Sequence, residues 1–420
     1  MLFSTTLDSA GVLELPELPP RSSTRVELDF SHLHQNGKYI RQYLPSDLWL
    51  SVSFRLKLPT TWAEEGHQVA WAQFQLRSDD TLHYCPQYTL RPKNFPLQCE
   101  SFGSSTTITG HNFTVSFDNT KGHMISWTAA GASLLKPNPE TGAAIIPSFW
   151  RPPTDNDISV SLPYWKRFGV HAMTSQLRSF GVTTSSTKVI IKTETFHSPP
   201  ILSWGYLSQI DYWITAGGLI HIYITLKPQS SDKVNTLPAH IPRVGLDLCL
   251  PRRLDVVKWL GLGPGESYPD KRTAQRVGIW SVDHVADLQT PYEVPQENGN
   301  RMGTRWVSIR EPQGVGLRAF AGTGQWSKNC DRHFSFVATR HSAKTLEGAK
   351  HPCDLVEEDA TLLRLDAKVA GVGTAACGPG VREDLLVKVE DMRFTFDLEP
   401  LIWRWGLYLG SMTPCEAYHS

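Results

Sequence analysis

Apolar side chains recur at every second position along much of this chain. Leu48, Leu50, Val52, Phe54, Leu56 and Leu58 alternate with Trp49, Ser51, Ser53, Arg55 and Lys57. Successive side chains of a strand point to opposite faces, so the six apolar groups are predicted on one face of a half-buried antiparallel strand. Residues 208–214 and 219–226 flank Gly217-Gly218, which predicts a hairpin whose turn takes positive φ at both glycines. Shorter strand-like runs follow at 113–117, 189–192, 306–309 and 392–398, with Gly, Pro, Asn and Asp between them. Helical periodicity is scarce: 83–94 is too proline-rich, and 279–288 is the one place where a short helix is expected. Without consecutive βαβ units, neither a doubly wound sheet nor a (β/α)₈ barrel can be built, and the pattern is that of an all-β, sandwich-forming chain.

Composition narrows the class. Lysine plus arginine and aspartate plus glutamate number 41 each in 420 residues, so no net field draws the chain toward nucleic acid or an anionic membrane. Nothing approaches the run of about 20 apolar residues that a membrane span needs; the longest near the end, 401–409, contains Arg404. The N-terminal MLFSTTLDSAG lacks a basic region and an apolar stretch of signal length. Cysteines stand at 85, 99, 249, 330, 353, 377 and 415, with no CxxC pair, so no disulfide framework is expected and the expected setting is soluble and cytoplasmic. The excess is aromatic, with 14 Trp, 12 Tyr and 17 Phe; Trp127, Trp150, Trp213 and Trp306, in strand or motif contexts, are expected in the core.

Four strings carry candidate chemistry. FWRPPTDND, at 149–157, places Asp155, Asn156 and Asp157 after a Pro-Pro pair. A calcium loop starting at Asp155 would need glycine sixth and glutamate twelfth, where Val160 and Lys166 stand. Asp-Asn-Asp is read as a side-chain network capping a turn; the alternative, a general acid and base, suffers because carboxylates at i and i+2 lie too close to flank a substrate. GLGPGE, at 261–266, has Glu266 where a dinucleotide loop would place its third glycine, and Pro269 interrupts the helix that should follow, so a tight turn is expected. Cys330, His333, His351 and Cys353 have spacings unlike the common zinc modules, and no metal is expected there. VGTAACGPGV, at 372–381, is a shaped loop of small residues able to approach another surface closely. Its Cys377 would be a nucleophile only with a base brought from elsewhere in the fold.

Taken in chain order, FWRPPTDND, WLGLGPGESYPDK, TPYEVPQENGNRMGTRW and VGTAACGPGV resemble the small-chain domain of glycoside hydrolase family 2 β-galactosidases, over about residues 107–400. Upstream, LELPELPP and TTWAEEGHQVAWAQFQL resemble the end of the immunoglobulin-like domain that precedes it. The resemblance implies an all-β chain: a partial immunoglobulin-like β-sandwich over 1–96, a linker at 97–106, and a large antiparallel supersandwich of galactose mutarotase-like fold over 107–400. The tail, 401–420, matches nothing in the family and is expected to be poorly ordered. The immunoglobulin-like part begins several strands late, which implies either a partner chain that supplies them or a shortened chain. Arg151, Asp155, Asn156, Asp157, Gly263, Glu266, Tyr268, Asp270, Glu297 and Asn298 lie in the matching motifs and are expected to serve structure.

In that family the two catalytic glutamates, and the magnesium and sodium ligands, lie on a (β/α)₈ barrel ahead of both domains. No catalytic residue, cofactor or metal is therefore expected here, and alone the chain should not hydrolyse a galactoside. The implied role is that of the C-terminal portion or small subunit of a retaining β-galactosidase acting on terminal β-D-galactosides such as lactose. Its partners would be the barrel portion or large subunit, within an oligomer. The family's late glycine-rich loop reaches the sugar, so Cys377 and Gly378 are the expected substrate-binding positions, with Cys377 where some members carry a tryptophan. The alternatives are a free-standing carbohydrate-binding sandwich and a mutarotase-like epimerase acting through a His and a Glu.

Overall fold

The computed structural model describes residues 2–4, 12–13, 16, 18–27, 47–78, 96–185, 187–200, 204–230, 237–322, 332–404 and 407–408. Two compact units divide the chain, with the boundary between Tyr88 and Thr89. Among the described residues, strands dominate, the two α-helices are short (Ser161–Arg167 and Ala343–Gly348), and no helix is long and apolar enough to cross a membrane.

In the first unit, Leu2–Ser4, Asp47–Arg55 and Gln68–Ser78 form an antiparallel three-stranded sheet. Leu50 and Val52 are buried as the alternation predicts, but Phe54 and Leu58 are exposed, at 41% and 70%. The register slips just beyond, between Phe54 and Arg55, where the partner strand carries one extra residue, Val69. The expected six-residue apolar face ends before Phe54. The proline-rich stretch 83–94 lies outside the described residues.

Among the described residues the second unit holds three large antiparallel sheets and two two-stranded ones. The largest has nine strands in the order Thr174–Thr184, Lys188–Ser198, Trp204–Thr215, Ile220–Ser230, Met392–Leu401, Gly316–Ala321, Trp306–Arg310, Val256–Gly263 and Arg276–Val282. A five-stranded sheet runs Arg301–Thr304, Phe334–Thr339, Ala360–Val369, Arg243–Pro251, Ile145–Ser148. A second five-stranded sheet is a meander from Gln98–Phe102 to Ala132–Leu135. Alternation explains the packing: Phe113, Val115 and Phe117 are buried while Thr114, Ser116 and Asp118 between them keep some exposure, and Ile220, Ile222, Ile224 and Leu226 repeat the pattern. All three sheets feed one continuous core. Trp127 is buried in it and Trp306 is buried as well, as expected, whereas Trp150 and Trp213 are half-buried; Trp213 is capped by the Lys188 ammonium 3.8 Å from its ring centre, which suits an amphipathic edge.

Several details differ from expectation. Residues 97–106 are not a linker: Gln98–Phe102 pairs with Ser105–Gly110. Gly103, at φ +56°, takes the first central position of a two-residue hairpin turn, the place where a type II′ turn requires glycine. Small polar residues there mark a turn and a sheet edge, while Thr106 and Ile108 are fully buried. The Gly217-Gly218 hairpin forms, but only Gly218 has positive φ, +84°. Thr215 and Leu219 close a three-residue loop through Thr215 N–H to the Leu219 carbonyl and Gly218 N–H to the Thr215 carbonyl, both 3.0 Å, the arrangement that needs a left-handed residue only at its third position. The helix expected over 279–288 is instead the end of strand Arg276–Val282 and a single 3₁₀ turn, Val285–Leu288. In the tail, Trp403–Arg404 pairs with Leu407–Tyr408, and 405–406 and 409–420 lie outside the described residues.

Candidate functional site

Arg151 is wholly buried, and its charge needs a partner. It reaches Asp157, 1% exposed, through two parallel bonds, Nη1 to Oδ2 at 2.8 Å and Nη2 to Oδ1 at 3.2 Å. The backbone N–H and hydroxyl of Thr154 donate to the same Oδ2 at 2.7 and 3.0 Å, closing the turn after Pro152-Pro153. Asp157 is thus saturated by donors. The second hydrogens of Nη1 and Nη2 go to the Pro152 carbonyl and, at 3.4 Å, to the Gly371 carbonyl, while Nε is buried with no hydrogen-bond partner among the described residues, so the frame reaches a loop more than two hundred residues along the chain.

That loop is the glycine-rich 371–381. Asp270 accepts the N–H groups of Val372 (2.9 Å) and Gly373 (2.8 Å), one on each oxygen. Asn156 donates to the Gly373 carbonyl at 2.9 Å and accepts the Ala376 N–H at 3.0 Å. A Cβ on Gly371 would stand 2.5 Å from Asp270 Oδ2, and Gly373 has φ +62°, so both positions require glycine. Thr374 closes the tip, its hydroxyl donating to the Pro379 carbonyl at 2.9 Å while its own carbonyl accepts the Cys377 N–H at 3.1 Å. A Cβ on Gly378 would lie 2.7 Å from that hydroxyl. Cys377 is exposed with a free thiol, and no histidine is hydrogen-bonded to it among the described residues. Asp270→Ala is expected to raise amide exchange at Val372 and Gly373 by about tenfold or more while lowering global stability by only about 1 kcal/mol; unchanged exchange by mass spectrometry would show that the carboxylate does not hold the loop.

The other motif residues form a second cluster. Glu266 accepts from Lys271 and from the Tyr292 hydroxyl on one oxygen, and from the Thr290 hydroxyl (2.8 Å) and Gly299 N–H (2.9 Å) on the other. Burial pushes its carboxyl up, but these donors outweigh burial and hold it below its ordinary range. Glu297 accepts from Arg364 (3.1 Å) and from the Tyr268 hydroxyl (3.3 Å). Burial first, and the charge of Glu297 second, push the Tyr268 hydroxyl well above its ordinary value. Asn298 accepts the Thr290 N–H and donates to the Gln296 carbonyl. Gln296 Oε1 accepts the Asp155 N–H at 3.2 Å, which ties this cluster to the Asp-Asn-Asp turn. Gly263 stands to one side, where a Cβ would be 2.6 Å from the Trp280 ring.

Gln296, Lys271, Tyr292 and Arg364 were not singled out by sequence. For Arg364 a signal exists: in TLLRLDAKV, Arg364 and Asp366 alternate with Leu363 and Leu365, a polar face inside an apolar strand. Asp366 lies against Arg243, whose Nη1 also reaches Asp247 at 2.8 Å; burial pushes the Asp366 carboxyl up against the pull of Arg243. By sequence no metal is expected at Cys330, His333, His351 and Cys353. Cys330 lies outside the described residues, His351 precedes and Cys353 lies within an exposed 3₁₀ turn, Pro352–Asp354, and among the described residues no group of three or more His, Cys, Asp or Glu side chains could hold a metal ion.

The geometry defines a class: an antiparallel β-sandwich that displays a rigid glycine-rich loop on a buried ionic frame, with the carboxylates of that frame already engaged by donors. Residues 109–398 match the family described as "Beta galactosidase small chain", and the chain belongs to that family. Residues 4–77 match "Beta-galactosidase, domain 4". The β-galactosidase of Kluyveromyces lactis is 26% identical over 93% of this chain and 34% of its own length, and β-galactosidase 2 of Enterobacter cloacae is 28% identical over 84% and 32%. The chain thus spans about a third of the length of these curated relatives. A putative aldose 1-epimerase of Escherichia coli K12 aligns over 73% of this chain and 99% of its own at 11% identity, with a TM-score of 0.35.

Proposed function

We propose that this chain is the non-catalytic part of a retaining β-galactosidase, which completes the sugar pocket of a catalytic portion and acts on terminal β-D-galactosides such as lactose. The family match carries this reading, and two features of the site support it. First, retaining hydrolysis needs two carboxylates about 5–5.5 Å apart, one a nucleophile and one an acid and base, whereas Asp157, Asp270, Glu266 and Glu297 are each held by hydrogen-bond donors. Second, Asn156 and Asp270 clamp the 371–381 loop from two sides, and a rigid loop loses little entropy when it meets a partner and a ligand. The catalytic glutamates would come from the barrel portion or large subunit, and assembly into an oligomer belongs to the same reading. On this reading the family's magnesium and sodium belong to the barrel portion.

The test is complementation. The chain alone should leave a chromogenic β-galactoside intact, and mixing it with the barrel portion of a β-galactosidase relative should produce hydrolysis. In that assembly Cys377→Trp should lower KM by about three- to tenfold, since an indole adds about 1 kcal/mol of stacking contact. Hydrolysis by the chain alone overturns the non-catalytic reading, and an unchanged KM removes the loop from the sugar site.

A further inference from the structure

A cleft of about 710 Å³ opens beside Trp150, between strands of the five-stranded sheet that includes Arg243–Pro251 and Ala360–Val369 and the helix Ala343–Gly348. Its volume falls in the range of ligand sites, about 300–1,000 Å³, and it shares with the ionic frame above only Asp247 and Arg364, while the 371–381 loop takes no part in it. One wall is aromatic. Trp150 is half-buried, with the His171 ring centre 5.8 Å away and the Trp165 ring set edge-on at 83°.

The polar groups around it are nearly charge-compensated. Asp247 is paired with Arg243 (2.8 Å), Glu347 with Lys166 (2.6 Å) and Arg364 with Glu297 (3.1 Å). Glu140 and Lys344, one of each sign, complete the charged lining. Asp247 is 43% exposed and gives only Oδ1 to Arg243, which leaves Oδ2 to accept a hydroxyl. Such a wall offers donors and acceptors with little net field. It gives an anionic phosphate or carboxylate no cluster of cations, only Lys344 with Glu140 in the same lining and Arg364 already paired with Glu297, and an apolar ligand would strand its polar groups. A neutral, polyhydroxylated ring meets both demands, since its hydroxyl rim bonds to carboxylate and cation while its C–H face packs on the indole.

We propose that this cleft is a saccharide-binding site, sized for a mono- or disaccharide and separate from the Cys377 loop. The proposal does not depend on the β-galactosidase reading, because it concerns binding by this chain alone.

The test is calorimetric titration of the full 420-residue chain with D-galactose, lactose and cellobiose, with tryptophan fluorescence as a second readout. At least one sugar should bind at millimolar concentration or below, and Trp150→Ala should weaken it by about tenfold. Ala343→Trp places an indole in the cleft from a short surface helix and leaves the buried core untouched, so it should weaken binding by about tenfold or more even where Trp150→Ala fails to fold. Absence of binding by all three sugars overturns the proposal. So does binding that Ala343→Trp leaves unweakened, or that is lost instead in Cys377→Trp, which would assign the sugar to the loop.

Discussion

Asp157→Ala is expected to destabilise the large unit by about 3–5 kcal/mol, the cost of leaving one partner of a buried ion pair uncompensated. Arg151 is wholly buried and has Asp157 as its only anionic hydrogen-bond partner among the described residues. The substitution also frees the Thr154 N–H and hydroxyl that close the turn. Urea unfolding followed by tryptophan fluorescence measures the loss. Replacing both partners, Arg151→Met with Asp157→Leu, should recover the part due to the unpaired guanidinium, because an apolar pair carries no desolvation cost, while the unmet Thr154 donors keep the remainder. A loss below about 1 kcal/mol for Asp157→Ala would mean that water reaches the guanidinium. The same variant should loosen the glycine-rich loop, since Arg151 is what links the turn to the Gly371 carbonyl.

Stability should fall steeply in acid, and His197 should account for a large share. It is 2% exposed, shares a hydrogen bond of 2.9 Å with the Thr195 hydroxyl and packs on Phe149. Burial, with the neighbouring charge of His123 second, lowers its pKa from 6.5 to about 3. The unfolded chain therefore takes up a proton that the folded chain refuses. The contribution is fully present above pH about 6.5 and is lost as pH falls toward about 3; at about 1.4 kcal/mol per decade it reaches roughly 4–5 kcal/mol. His197→Phe should be less stable than the parent at pH 7, where the Thr195 bond is lost, and should have a shallower acid limb. Unfolding free energies measured across this range that run parallel for parent and variant would exclude the histidine as the cause.

Strand faces were legible because water on one side and core on the other impose a period of two, as at Phe113, Val115 and Phe117. Turn chemistry was legible within a few residues: Asp-Asn-Asp after Pro-Pro pointed to a capping network, and Asp157 closes one. Its distant partners were not legible, because nothing in a local string says that Asn156 meets Ala376 or that Glu297 meets Arg364. The errors at 97–106 and 279–288 share a cause. Small polar residues were taken for a connection and a short apolar run for a helix, when pairing with a neighbouring strand decided both. The cleft beside Trp150 escaped notice because His171, Asp247 and Glu347 are single polar residues on separate elements, and only the fold makes them neighbours.

The strand Met392–Leu401 sits at the centre of the nine-stranded sheet, between Ile220–Ser230 and Gly316–Ala321, although it is last of the nine in the sequence. As the ribosome delivers the chain, two four-stranded half-sheets can assemble, but each holds an open edge with unpaired backbone groups until this segment emerges. The pairing with Ile220–Ser230 spans more than 150 residues, and such distant pairings form slowly, so the nascent chain passes through a state with two adhesive edges held in waiting. The last strand then acts as a zip, joining both halves in one insertion and removing both hazards together.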